Sequence, residues 1–159
     1  MVVMSGRRHL GVLALVLALG VLINLWRLGA TGVVDETPPW FAAAGRAMTQ
    51  TGDWLTPRVN GLPRFDNPPL VYWLMALGYS LPGQIVWDPL GSWAARLPSA
   101  LSSVAVMLVL ADTVLRGPSA GLRRPVAAAL TAALGFGLSP LVLGWGRTAV
   151  SGALGCGLL

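Results

Sequence analysis

Apolar residues in this chain come in long unbroken runs, where a soluble fold shows a narrow stripe or an alternation. From Leu10 to Trp26 only Asn24 is clearly polar, and 17 residues of helix cover about 25 Å, just enough to cross the hydrocarbon of a bilayer. Arg7, Arg8 and His9 precede this run, and Trp26 and Arg27 suit the interface at its far end. A cleaved signal peptide is the competing reading, because Leu28-Gly29-Ala30 ends in a small residue, but an apolar core of about 16 residues exceeds the usual 7–15. A second crossing is expected over residues 92–115, with a charge-free core from Leu97 to Ala111 and with Asp112 able to pair with Arg116 one turn on. A third is expected over 125–145, opened by Pro125 in its first turn and kinked near its end by Pro140. From 148 to 159 the chain is apolar again, but 12 residues cannot span a bilayer, so this stretch reads as the start of a fourth helix.

The segment Pro68 to Leu81, PPLVYWLMALGYSL, is apolar enough for lipid but only 14 residues long and bracketed by prolines. Cytoplasmic loops carry the excess of arginine, so Arg7 and Arg8 belong inside, as do Arg116, Arg123 and Arg124 in the short connection 116–124. That requires an even number of crossings between them. The segment is therefore expected to lie on the outer face as an interfacial helix, with Tyr72, Trp73 and Tyr79 at the headgroup level. The resulting expectation is an all-α membrane protein, polytopic, with interfacial amphipathic helices in its first extracytoplasmic loop. Residues 1–28 form the cytoplasmic N-terminus and first crossing, and 29–91 form the outer loop, with helices at about 38–51 and 68–81. Location follows as a multi-pass bacterial inner membrane protein with its N-terminus in the cytoplasm.

Composition agrees with lipid as the solvent, since 55% of the residues are hydrophobic and only 11% charged, where a soluble domain carries about a quarter. The net charge of +5 comes from 11 arginines and no lysine, scattered along the chain. That scatter argues against nucleic acid as a partner, which needs a basic stripe. Cys156 is the only cysteine and has no Cys or His at metal-ligand spacing, which leaves neither an internal disulfide nor a zinc site.

The outer loop holds five of the six acids, Asp35, Glu36, Asp53, Asp66 and Asp88, and most of the turn signals. Pro38 can open a short helix with Trp40, Phe41, Ala44 and Met48 on one apolar face, ending at Gly52. The stretch GDWLTPRVNGLPRFDNPP then has the Pro, Gly and Asn punctuation of a structured loop. Asp-Glu before Pro-Pro can be a helix N-terminus that suits acids, and Asp66 before Asn67-Pro68 can be an Asx turn.

Taken in order, these residues carry a resemblance. Asp35-Glu36, an amphipathic helix ending Gly45-Arg46-Ala47-Met48, Gly52-Asp53-Trp54, Pro57-x-x-Asn60-Gly61, Phe65-Asp66-Asn67-Pro68-Pro69-Leu70 and Tyr72-Trp73 run over about 45 residues, followed by Ala94-Ala-Arg-Leu-Pro98. The run resembles the first outer loop of bacterial polyprenyl-phosphate-dependent glycosyltransferases, the family of aminoarabinose transferases and protein O-mannosyltransferases. The resemblance implies transfer of a sugar from a polyprenyl-phosphate donor to a lipid, glycan or protein acceptor at the extracytoplasmic face. It places the catalytic carboxylate on Asp35, with Glu36 supporting, the donor phosphate near Arg58, Arg64 and Asn67, and a divalent metal ion on Asp66. A carboxylate there can take the acceptor's proton as the sugar–phosphate bond breaks.

Two departures stand out. Asn67 occupies the place of the family's phosphate-binding lysine, for which the arginine forks of Arg64 or Arg58 can substitute. Gly152, in Ser151-Gly152-Ala-Leu154, stands where relatives carry an acid. Both favour the rival reading, a non-catalytic membrane subunit or degenerate remnant. A transporter fits less well, because the crossing cores carry no charge that would mark a substrate path. The tryptophans at 40, 54, 73, 87 and 93 can stack on sugars or anchor the loop at the interface.

Overall fold

The structure is a computed structural model that describes residues 6–28, 37–65, 67–81, 93–117 and 124–146. These are mostly helical. In chain order they form α1 (Gly6–Leu25), α2 (Thr37–Thr51), a two-stranded ribbon of β1 (Arg58–Val59) and β2 (Leu62–Pro63), α3 (Pro69–Tyr79), α4 (Trp93–Arg116), α5 (Pro125–Gly137) and α6 (Pro140–Gly146). Helices α1 and α4, with 20 and 24 residues, are long and apolar enough to cross a membrane. Leu10, Leu15, Leu17, Val21 and Leu22 of α1 point outward, as suits a helix whose surroundings are apolar.

α4 is the axis of the molecule. α1 lies antiparallel to it, burying Val16, Gly20 and Asn24 at a one-turn spacing. Gly20 permits the approach, since a β-carbon there would stand 3.3 Å from Val104 Cγ1. Asn24 donates to its own helix at the Gly20 carbonyl (2.9 Å), with the sulfur of Met107 at 3.9 Å. On the other side α5 offers Ala129, Ala133 and Gly137, also one turn apart, to Met107, Ala111 and Leu115 of α4. Small residues at such a seam let backbones close in, and packing contact then takes the place of the hydrophobic drive that lipid cannot supply.

The single helix expected over 125–145 is divided. α5 ends at Gly137, Leu138 and Ser139 turn, and α6 restarts at Pro140. The cause is local: Pro140 has no N–H to give the Phe136 carbonyl, its ring crowds that carbonyl, and it disfavours helical geometry at Ser139. The turn satisfies the freed carbonyl otherwise, with Ser139 N donating to Phe136 O at 3.1 Å. The stretch 148–159 lies outside the described residues.

A second core sits at the end of α4 that begins with Trp93. There α2 and α3 run parallel, pairing Phe41 with Tyr72 (ring centroids 5.5 Å apart) and Gly45 with Met75, and they bury Ala44, Met48, Ala76 and the α4 residue Ala95. Pro98, inside α4, cannot donate to the Ala94 carbonyl. That carbonyl meets α3 at Gly78, where an added β-carbon would lie only 2.6 Å from the oxygen. Only glycine fits there, and the contact seats the α2–α3 platform on the membrane helix.

The two ends of the bundle differ in character. At one, His9 Nε2 and Arg116 Nε both reach the Asp112 carboxylate at 2.8 Å, clasping α1 to α4 close to Arg7, Arg8 and the start of α5. At the other, Arg96, itself buried, donates from its NH1 nitrogen to the Leu28 carbonyl at 2.8 Å. The platform stands at this second end.

Candidate functional site

The platform's working edge is the chain between α2 and α3. α2 stops at Gly52, whose φ of +74° a β-carbon would strain. Thr51 and Asp53 then shape the exit. The Thr51 hydroxyl donates to Ala47 O (2.8 Å) and accepts from Asp53 N (3.3 Å), while Asp53 Oδ1 accepts from the backbone of Leu55 (3.2 Å) and Thr56 (3.1 Å). The Thr56 amide above all, helped to a lesser degree by the Leu55 amide and the Arg58 guanidinium, outweighs the opposing desolvation and holds the Asp53 carboxyl below its ordinary range.

The next residues form a hairpin where the sequence reading expected only a structured loop. Arg58 pairs with Pro63 and Val59 with Leu62, and Asn60 and Gly61 close the turn with φ of +53° and +79°. Both central residues at positive φ are the mark of a primed hairpin turn, for which Asn-Gly is the strongest short signal. Arg64 N donates to Pro57 O (2.8 Å) and extends the ladder by one pair. Alternation along the ribbon therefore puts Arg58 and Arg64 on opposite faces.

Of the six residues singled out in the sequence, Asp35, Glu36 and Asp66 lie outside the described residues, and Arg58, Arg64 and Asn67 lie within them. Arg58 faces Asp53 (Nε to Oδ2, 3.6 Å) and the Gly61 carbonyl (3.4 Å). Arg64 stacks its guanidinium 3.5 Å from the centre of the Trp40 ring, at the start of α2. Asn67 lines an open cleft of about 400 Å³ with Leu55, Pro57, Phe65, Pro68 and Pro69. Trp73 Nε1 donates to the Trp54 carbonyl at 2.6 Å and ties the loop to α3. The edge thus carries two arginines and several aromatic rings on the same stretch of chain as a cleft of mixed polarity, groups able to hold a phosphate beside a sugar ring. Among the described residues no three His, Cys, Asp or Glu gather as a metal site, so these side chains do not by themselves make a metal cradle.

Arg96 and Arg46 went unassigned in the sequence reading. The bond from Arg96 to the Leu28 carbonyl caps the end of α1, just past the positive φ of Arg27 (+51°). Its signal was an arginine expected near the end of a crossing and found buried at 6% exposure.

Comparison with known proteins covers about two thirds to three quarters of the chain. The chain is 34% identical over 110 residues to the undecaprenyl phosphate-alpha-4-amino-4-deoxy-L-arabinose arabinosyl transferase of Pseudomonas savastanoi pv. phaseolicola, covering 66% of this chain and 19% of that protein. Proteins of the same name match from Pseudomonas aeruginosa (33% over 119 residues; 75% of this chain, 21% of that one) and Edwardsiella ictaluri (36% over 119; 73% and 19%). The chain is related to the undecaprenyl-phosphate arabinosyl transferases. It spans about a fifth of the length of these transferases. No family model matches the chain, and no solved structure does. The resemblance read from the outer-loop motifs and the similarity to the arabinosyl transferases name the same group of membrane enzymes.

Proposed function

We propose that this chain supplies the first outer loop and the adjoining membrane helices of a glycosyltransferase that takes its sugar from a polyprenyl-phosphate donor at the extracytoplasmic face of the bacterial inner membrane. The observation that carries this reading is the order and placement of the loop motifs. The chain is about a third identical to the arabinosyl transferases over 110–119 residues, and the loop motifs among the described residues stand at the end of α4 opposite the cluster of His9, Asp112 and Arg116. The positive-inside rule puts that arginine-rich end in the cytoplasm and the platform outside.

In this reading the acceptor hydroxyl gives its proton to the Asp35 carboxylate while its oxygen attacks the anomeric carbon. The bond from that carbon to the phosphate oxygen breaks with inversion, and polyprenyl phosphate departs. Glu36 steadies the site. Either Arg64 or Arg58, which lie on opposite faces of the ribbon, neutralises the leaving phosphate, with Asn67 at the cleft, and Asp66 would be the residue to hold a divalent ion. The acceptor is a lipid, a glycan or a protein.

The test is Asp35→Asn in the full-length protein. This change keeps a capping oxygen but removes charge and basicity, so a residue that only starts a helix should lose well under about 1 kcal/mol and leave transfer intact. Turnover reduced by roughly 100-fold or more, with normal insertion and expression, is the outcome expected of a general base. Undiminished transfer would end the assignment. Asn67 specifically favours the rival reading of a degenerate, non-catalytic relative, to which absence of transfer by the unmutated protein would point.

A further inference from the structure

Arg46 is the one half-buried arginine of the platform whose charge the mechanism above does not use. It lies on α2, six residues beyond Trp40 and so about 9 Å further along the helix from the Arg64 stack. Its Nε is out of reach of solvent and has no hydrogen-bond partner. Its guanidinium stands 5.3 Å from the centre of the Tyr79 ring on α3. Among the described residues the carboxylates are committed elsewhere, Asp53 to Arg58 and Asp112 to His9 and Arg116, and none comes within ion-pair distance of Arg46. Burying cationic surface without an anion is costly. A face-on tyrosine offsets only part of that cost.

The surroundings say what kind of anion would complete the site. Tyr79 follows Gly78, which rests on the Ala94 carbonyl in the first turn of α4. α4 has 24 residues and so extends about 36 Å, longer than the roughly 30 Å of bilayer hydrocarbon, so a helix of this length can reach the headgroup layer at its ends. Burial raises the Tyr79 phenol above its ordinary value, against the opposing pull of Arg46, so it remains a hydroxyl donor at neutral pH. Gln50, exposed one turn after Arg46, adds a neutral donor on the same face.

We infer that Arg46 and Tyr79 form a binding site for a phosphate group carried on a membrane lipid, separate from the hairpin arginines. A planar guanidinium beside a phenolic hydroxyl presents a fork of donors to phosphate oxygens at the depth where lipid phosphates lie. The ligand is the phosphate of a bilayer phospholipid or of a polyprenyl monophosphate, and both supply the same chemistry.

The test measures binding directly, so its outcome is separate from that of any transfer assay. The full chain in micelles of a phosphate-free maltoside detergent is titrated with phosphatidylglycerol, undecaprenyl monophosphate or, as a phosphate-free lipid, diacylglycerol, and bound lipid is counted by native mass spectrometry. Replacing Arg46 by Gln should weaken phosphate-lipid binding about tenfold or more, the equivalent of one charge-assisted hydrogen bond. Arg46→Lys should retain part of it, Tyr79→Phe should cost less than Arg46→Gln, and diacylglycerol should be indifferent to all three. Preference between the two phosphate lipids tells the bilayer from the donor as the source. In detergent free of phosphate, Arg46→Gln should melt at or above the wild-type temperature, because a half-buried charge offset only in part by the Tyr79 ring has been removed. Equal phosphate-lipid binding by wild type and Arg46→Gln would overturn the site, and so would a lower melting temperature of that variant in phosphate-free detergent, which would make Arg46 a fold-supporting residue.

Discussion

At the residue scale the hairpin depends on a single carboxylate. Asp53 accepts the Leu55 and Thr56 amides and faces Arg58, and these partners lower its pKa from the 3.8 of an unperturbed group. A group depressed in the folded state stabilises above its unfolded pKa, and the effect disappears as pH falls through the folded value. Protection of the loop against proteolysis should therefore be constant from neutral pH down to about 5 and decline only below about 4. Asp53→Asn retains an acceptor for the amides and should loosen the loop less than Asp53→Ala, which removes the acceptor as well. Limited proteolysis between Gly52 and Asn67 reads both effects, and identical digestion of the two variants would contradict this role. The sequence shows Asp53 as part of Gly-Asp-Trp, but its partners become visible only once the turn is folded.

At the level of elements, the helices follow patterns the sequence displays. α2 and α3 occupy the segments where Pro38 and Pro68 announce a start, and the apolar run after Trp93 becomes α4. Two elements differ from expectation. The ribbon at residues 58–63 was signalled by Asn60-Gly61, but strands of two residues are too short for alternation to be seen. The break between α5 and α6 was signalled by Pro140, where a kink was expected and a full interruption formed. The docking of α3 on α4 rests on Gly78, so Gly78→Ala should disrupt it: a methyl 2.6 Å from the Ala94 oxygen must displace backbone. Overpacking of this kind costs about 1–3 kcal/mol. The expected result is a lower melting temperature with helical circular dichroism largely retained. Gly61→Ala, at a φ of +79° with open space around it, should instead strain the hairpin alone.

At the scale of the whole molecule, the two poles set function. One gathers Arg7, Arg8, His9, Asp112 and Arg116, and the other carries the platform with Arg46, Arg58 and Arg64. In the orientation proposed above, the first pole lies in the cytoplasm. A cysteine replacing the exposed Leu62 should thus react with an impermeant thiol reagent added to intact cells. One replacing Gly6 should react only after the membrane is opened. The opposite pattern would reverse the orientation and move the proposed site to the cytoplasmic face.

What the chain by itself determined is whatever depends on local chemistry and on the length of apolar runs: long apolar helices, prolines at helix starts, the pairing of Asp112 with Arg116, and the order of the loop motifs. Those features need no partner distant in sequence. The tertiary structure alone decided the rest, because it concerns contacts between residues far apart in the chain. It brought His9 to Asp112 and Arg96 to the Leu28 carbonyl, set Arg46 over Tyr79, and used Gly78 to seat the platform on α4. A buried arginine and an exposed one look alike in a sequence, and only packing decides which of them needs a partner.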